Sequence, residues 1–214
     1  MKTLKQPYDG NASSLLLFFS GWSAPAELFA SLEADEGTDV IICYDYRDLT
    51  FEEDLSHYKE IHLVAWSMGV RMAEMALGGR YKFTSATAIN GTPCPIDDSY
   101  GIPTNIFLGT LNGLTPETLL RFNRRMCGTR EILGVYQSVP ARPFDEVRDE
   151  LRAIYNHCLH AQGEPIPWTR AIVGTGDRIF PSSNQLAYWE GRCPALEIAS
   201  PHYPFYQWTR WREL

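Results

Sequence analysis

Apolar residues along the chain gather into short unbroken runs separated by stretches with helical spacing. Leu15, Leu16, Leu17, Phe18 and Phe19 form one such run, closed by Ser20 and Gly21. That is the signature of a strand buried on both faces of a parallel sheet, because a strand with one wet face would alternate. Val40, Ile41, Ile42 and Cys43 give a second run within residues 39–44, ended by Asp45, Tyr46 and Arg47, and residues 61–66 and 84–89 give a third and a fourth. Between the third and the fourth, Met68, Met72, Met75 and Ala76 recur on one helical face while Arg71 and Glu74 fall elsewhere. A short helix is predicted over residues 25–32, and the polar residues 1–12, with Pro7 and Gly10, predict an irregular lead-in or a short edge strand.

This alternation breaks over residues 102–165, where helical spacing dominates. Leu119, Phe122 and Met126 share one face of a helix whose other face carries Arg121, Arg124 and Arg125. Phe144, Val147, Leu151, Ile154 and Tyr155 mark a second amphipathic helix after Pro143. Alternation resumes with a strand at 169–173, a turn at 174–177, a helix near 184–189 and a last strand at 195–199. Strands alternating with helices predict an α/β fold with a mainly parallel sheet, interrupted by a helical insertion that would serve as a lid. At 214 residues and 44% hydrophobic content the chain fits one domain, residues 1–214, with a single core.

The third run carries the chemistry. Ala65-Trp66-Ser67-Met68-Gly69 delivers a serine from a strand into a sharp turn that opens a helix, the context of the nucleophile elbow of α/β-hydrolases. The residues two before and two after the serine must be small so that strand and helix can approach, and Ala65 stands where glycine is usual. A serine hydroxyl is a weak nucleophile at neutral pH, so an elbow calls for a histidine base and a carboxylate to orient it, in the chain order serine, acid, histidine. Asp177 follows the strand at 169–173, and His202 follows the strand at 195–199. His57, His62, His157 and His160 precede the serine or lie in the insertion, and Asp45, which also precedes it, reads as a turn residue paired with Arg47. The backbone N–H groups of Met68 and Trp22 stand where an oxyanion hole would need them.

Composition narrows the remaining choices. The formal net charge of -7 argues against general nucleic-acid binding, which relies on Lys and Arg at phosphates. Five scattered cysteines, Cys43, Cys94, Cys127, Cys158 and Cys193, lack the spacing of a zinc site or a disulfide framework and are expected to be reduced. The longest apolar run is far too short to span a bilayer and no leader is expected, so the sequence predicts a cytoplasmic protein that is not held in a membrane.

Taken together, Phe18-Phe19-Ser20-Gly21-Trp22, Ala65-Trp66-Ser67-Met68-Gly69, Asn90-Gly91-Thr92-Pro93, the run from Arg121 to Cys127, Gly174-x-x-Asp177 and His202-Tyr203-Pro204-Phe205 resemble the BioG family. The resemblance spans essentially the whole chain. It implies a serine esterase of biotin synthesis that hydrolyses the methyl ester of pimeloyl-[acyl-carrier protein], with Ser67, Asp177 and His202 as its triad. An acyl-carrier protein is acidic, so Arg121, Arg124 and Arg125 are the expected carrier-binding face. Neither a metal nor an organic cofactor is expected, because triad and oxyanion hole supply the nucleophile, the proton transfer and the charge stabilisation. The residues alone leave open other acyl esters or thioesters as substrates, and a non-catalytic binding protein on the same fold.

Overall fold

The structure, a computed structural model, describes residues 1–160 and 163–214. Seven strands form one sheet: β1 (Lys2–Gln6), β2 (Ser14–Phe19), β3 (Thr38–Tyr44), β4 (Glu60–Trp66), β5 (Ser85–Ile89), β6 (Arg170–Gly174) and β7 (Ala195–Ile198). Their spatial order is β1-β3-β2-β4-β5-β6-β7. Only β1 runs antiparallel, against β3, and every other pairing is parallel. The apolar runs become the central strands: Leu15, Leu17, Phe18 and Phe19 of β2 and Leu63 and Ala65 of β4 are wholly buried. β1, whose Lys2 and Lys5 are exposed on either side of half-buried Thr3 and Leu4, takes the edge, where solvated side chains do no harm.

Helix α1 (Met68–Leu77) joins β4 to β5 and buries Met68, Met72 and Ala76 on one side, and α6 (Ser182–Trp189) joins β6 to β7. Among the described residues between β5 and β6 there are four helices: α2 (Thr104–Asn112), α3 (Pro116–Cys127), α4 (Arg130–Tyr136) and α5 (Phe144–His160). The described part of the stretch predicted to depart from alternation is therefore rich in helix, with α2 and α4 in addition to the two helices read from spacing. Thr115 caps α3 by accepting from Thr118 N at 3.2 Å, and Gly128 ends it at φ 75°. The helix expected over residues 25–32 is only a 3-10 turn, Ala26–Phe29. Its Phe29 is drawn between Phe18 and Phe205, at ring distances of 4.7 and 4.9 Å, so the chain dives into the core after one turn.

The insertion is tied to the carboxyl ends of the strands by polar bonds that the hydrophobic pattern does not reveal. Glu150 of α5 is wholly buried and accepts from Tyr46 N, after β3, at 3.0 Å and from Arg142 Nη1 at 2.7 Å. Burial pushes its carboxyl pKa up, against the opposing pull of Arg142. The Trp22 indole N–H, after β2, donates to Val147 O at 2.8 Å, and Tyr203 N donates to Met126 O at 3.2 Å.

Asp45 belongs to the same network. It takes Arg47 Nε at 2.7 Å and Arg47 Nη2 at 2.6 Å, with Lys2 Nζ at 3.0 Å and Arg142 Nη2 at 3.3 Å. Burial alone would raise its pKa, but the hydrogen bonds from Arg47 and Lys2 and the charge of Arg142 outweigh it and hold the carboxyl at about 2. A folded-state value below the unfolded one, about 3.9, gives stability that is full above that unfolded value and is lost as pH falls toward about 2. Asp45→Asn should therefore cost about 2 kcal/mol at neutral pH and much less at about pH 2.5. Urea unfolding of both proteins across this range measures the gap, and a gap that does not change with pH would refute the account.

Candidate active site

The turn from β4 into α1 holds Ser67 at φ 57° and ψ -125°, a left-handed conformation that an L-residue adopts only when its surroundings impose it. Two glycines permit the crowding. A Cβ on Gly69 would lie 2.3 Å from Phe19 O, and one on Gly91 would lie 2.5 Å from Ser67 O. The Ser67 hydroxyl does not cap α1 and is left for other contacts.

His202 Nε2 lies 2.9 Å from Ser67 Oγ, and His202 Nδ1 lies 2.7 Å from Asp177 Oδ2. Because Nδ1 faces a carboxylate it carries the ring proton, which leaves Nε2 with a lone pair toward the serine hydroxyl. Asp177 Oδ1 accepts the backbone N–H groups of Ile179 at 2.8 Å and Phe180 at 2.9 Å, so the carboxylate is oriented by its own loop. All three side chains are buried. The three residues singled out by chain order are thus brought into one hydrogen-bonded line. Asp45, the other carboxylate considered, is committed to Arg47, Lys2 and Arg142.

The Met68 N–H is the first of α1 and has no acceptor four residues back, and the Trp22 N–H meets no acceptor among the described residues. The helix dipole adds partial positive charge at Met68. Both residues line a cavity with Ser67 and His202 and with the apolar side chains of Ile102, Phe107, Phe122, Met126 and Leu151. Such an apolar cavity with a few convergent polar groups suits an acyl chain.

The three arginines of α3 are exposed, and among the described residues none is in a salt bridge. They differ in what they border. Arg125 lines the Ser67 cavity, Arg121 and Arg125 line an outer groove between α2 and α3, and Arg124 lines neither. Leu119 also parts from Phe122 and Met126 and lines a different cavity, with Tyr136 and Val147.

Sequence reasoning missed the residues that hold the loops. Asn90, at φ 46° and fully buried, accepts Gly174 N at 2.6 Å and donates to His202 O at 3.0 Å and to Pro201 O at 3.2 Å. The Trp66 indole donates to the same His202 carbonyl at 2.9 Å. One asparagine at the end of β5 thereby joins the acid's loop to the histidine's loop. Its signal in the sequence, Asn-Gly after a strand, reads only as a turn. Among the described residues no group of three His, Cys, Asp or Glu could hold a metal ion, and no helix is long and apolar enough to cross a membrane.

A serine, a histidine and an aspartate aligned at the carboxyl ends of a mostly parallel sheet define an α/β-hydrolase, and an esterase from Exiguobacterium antarcticum shares this fold. It has a TM-score of 0.62 at 13% identity, covering 96% of this chain and 89% of that one. Within that class the chain belongs to the BioG family, described as pimeloyl-ACP methyl esterase BioG, which matches residues 1–214. It is accordingly a carboxylic ester hydrolase. The crystal structure of BioG from Haemophilus influenzae is 46% identical, with a TM-score of 0.95 over 100% of this chain and 99% of that one. A malonyl-[acyl-carrier protein] O-methyltransferase of Bacteroides fragilis is 42% identical over 185 residues, covering 85% of this chain but only 38% of that protein.

Asn90→Asp keeps the shape but turns a carboxylate toward the carbonyls of Pro201 and His202. We expect kcat to fall by about tenfold or more with KM little changed, as for other loss of outer support at a reacting group. Steady-state kinetics of the variant would show this, and unchanged kcat would mean that Trp66 alone holds the histidine loop.

Proposed function

We propose that this protein hydrolyses the methyl ester of pimeloyl-[acyl-carrier protein], releasing methanol and a free carboxyl group, as a cytoplasmic step of biotin synthesis. The observation that carries this reading is the unbroken line from Asp177 through His202 to Ser67, which lines an apolar cavity. Membership of the BioG family supplies the substrate. The partial likeness to a methyltransferase named for a carrier-bound acyl group adds support, since putting on and taking off a methyl ester call for the same kind of substrate.

The chemistry follows from the atoms. His202 Nε2 takes the Ser67 proton as Oγ attacks the ester carbonyl, and the negative charge that develops on the carbonyl oxygen falls to the N–H groups of Trp22 and Met68. Asp177 holds the imidazole in the reactive tautomer and stabilises its charged form. The imidazolium then protonates the methoxy oxygen, methanol leaves, and water activated by the same histidine releases the carboxylic acid from Ser67. Nucleophile, proton carrier and charge stabiliser are all protein groups, so the mechanism calls on no cofactor. Helices α2 to α5 act as the lid over the acyl chain in a one-domain protein, residues 1–214.

Ser67→Ala should lose about six orders of magnitude in turnover while still folding. Pimeloyl-[acyl-carrier protein] methyl ester assayed beside short p-nitrophenyl esters, with a serine-directed phosphonate as label, tests both reaction and preference. Substantial turnover by the alanine variant would end the proposal, and equal use of any short ester would favour a general esterase.

The arginines give a separate test, because an acidic carrier approaching a net-negative enzyme needs local positive charge. Arg121→Glu with Arg124→Glu should lower kcat/KM for the carrier-bound ester about tenfold, chiefly through association, and spare the small ester. Arg125→Glu should impair both substrates, since its side chain borders the acyl cavity. The carrier preference of the wild type should shrink with salt, as charges farther apart than a Debye length of about 8 Å are screened. A double variant with wild-type use of the carrier substrate would leave Arg121 and Arg124 as ordinary solvated surface.

A further inference from the structure

Gln185 of α6 is fully buried, and its amide is committed to the loop that carries Asp177. Its Nε2 donates to Asp177 Oδ2 at 3.1 Å and to Phe180 O at 2.7 Å, while Oε1 has no donor among the described residues. Turning the amide over would set Oε1 against two acceptors, so its orientation is fixed by chemistry. A buried carbonyl without a donor is a penalty that a leucine of similar volume would avoid, so packing alone does not account for this residue. The oxygen it contacts is also the one that receives the N–H of His202 Nδ1, at 2.7 Å.

We infer that Gln185 is a positioning residue for ester hydrolysis, sharing Asp177 Oδ2 with His202 and limiting how strongly that oxygen holds the imidazolium. The inference rests on Ser67, His202 and Asp177 being the reacting line. Gln185 itself touches no substrate. Its hydrogen bond draws electron density from Oδ2, and without it the oxygen becomes a stronger acceptor that binds a charged imidazole more tightly. A base that keeps its proton longer becomes available only at higher pH. The other ionisable groups near this line are Arg125 from α3, across the cavity, Tyr136 from α4, Tyr203 next to His202 and Arg178 next to Asp177. All are retained when Gln185 alone is changed.

The test compares wild type, Gln185→Leu, Gln185→Glu and Ser67→Ala by kcat and KM for a methyl ester from about pH 5 to about pH 9, the range in which histidine titrates. Gln185→Leu should lower kcat about tenfold with KM within about twofold. Its acidic limb of kcat/KM should move up by about half a pH unit. Gln185→Glu sets a second carboxyl against Oδ2, so its activity relative to wild type should be lowest at high pH and should recover as that carboxyl gains a proton and donates in place of the amide. If Gln185→Leu lowers only the melting temperature, with limb and kcat unchanged, the residue is packing and the inference is wrong. Should that variant not fold, Gln185→Glu decides: a ratio to wild type that is flat with pH overturns the inference and a recovering one supports it. Turnover by Ser67→Ala would instead remove the assignment beneath it, which separates the two failures.

Discussion

The conformation of Ser67 constrains most of what surrounds it. To hold its backbone at φ 57°, β4 must meet α1 in a turn so tight that the neighbouring chain closes in, with room at Gly69 and Gly91 for hydrogen atoms only. Ser67 N donates to Ile89 O at 2.9 Å, so the strained turn is braced by the end of the adjacent strand. The strain is not confined to one residue. Ser23, Asp45, Ser67 and Asn90 are the non-glycine residues with positive φ among those described, and they follow β2, β3, β4 and β5 in turn. Each such conformation costs of order 1–3 kcal/mol and persists only where its surroundings over-determine it. They are concentrated at the carboxyl ends of the central strands, where Ser67, His202 and Asp177 meet.

Part of what holds two of those residues, Ser23 and Asp45, comes from the insertion. Glu150 accepts the N–H of Ser23 at 3.4 Å as well as that of Tyr46, so one buried carboxylate on α5 binds the loops after both β2 and β3. Arg142 offsets its charge on one side and approaches Asp45 on the other. Removing one partner of such a buried pair usually costs about 3–5 kcal/mol, because the other is left charged and unpaired. The Trp22 loop, which carries a backbone N–H toward the cavity, is therefore not free to move independently of α5. Cavity wall and Trp22 loop are mechanically one unit.

Much of this was legible from residue types. Unbroken runs such as 15–19 and 61–66 mark parallel strands because only burial on both faces permits them, and the order Ser67, Asp177, His202 follows from strand-end placement. What escaped detection depends on contacts between distant residues. Asn90 and Gln185 receive no role from the sequence, one standing in a turn motif and one on a helix, and only tertiary folding sets them against His202 and Asp177. The 3-10 turn after Pro25 escaped for a similar reason, since the aromatic cluster around Phe29 overrides helical spacing. Helical periodicity likewise put Leu119 with Phe122, whereas in the fold they line different cavities.

Charge was the least legible quantity, because a sum over the chain hides where the charges lie. A net charge of -7 suggests that an acidic partner would be repelled. Yet many cations are already matched by nearby carboxylates, as Lys2 and Arg47 are by Asp45 and Glu146, and contribute little beyond their own network. The α3 arginines lie outside that bookkeeping and stand on an exposed face beside the cavity mouth. Because screening in salt confines each charge to its neighbourhood, a partner docking there would experience the local excess rather than the total. The same locality explains why Arg125 differs from its neighbours: one residue farther along α3 than Arg124, its side chain reaches the apolar cavity, where a charge is less screened and acts on whatever the cavity holds.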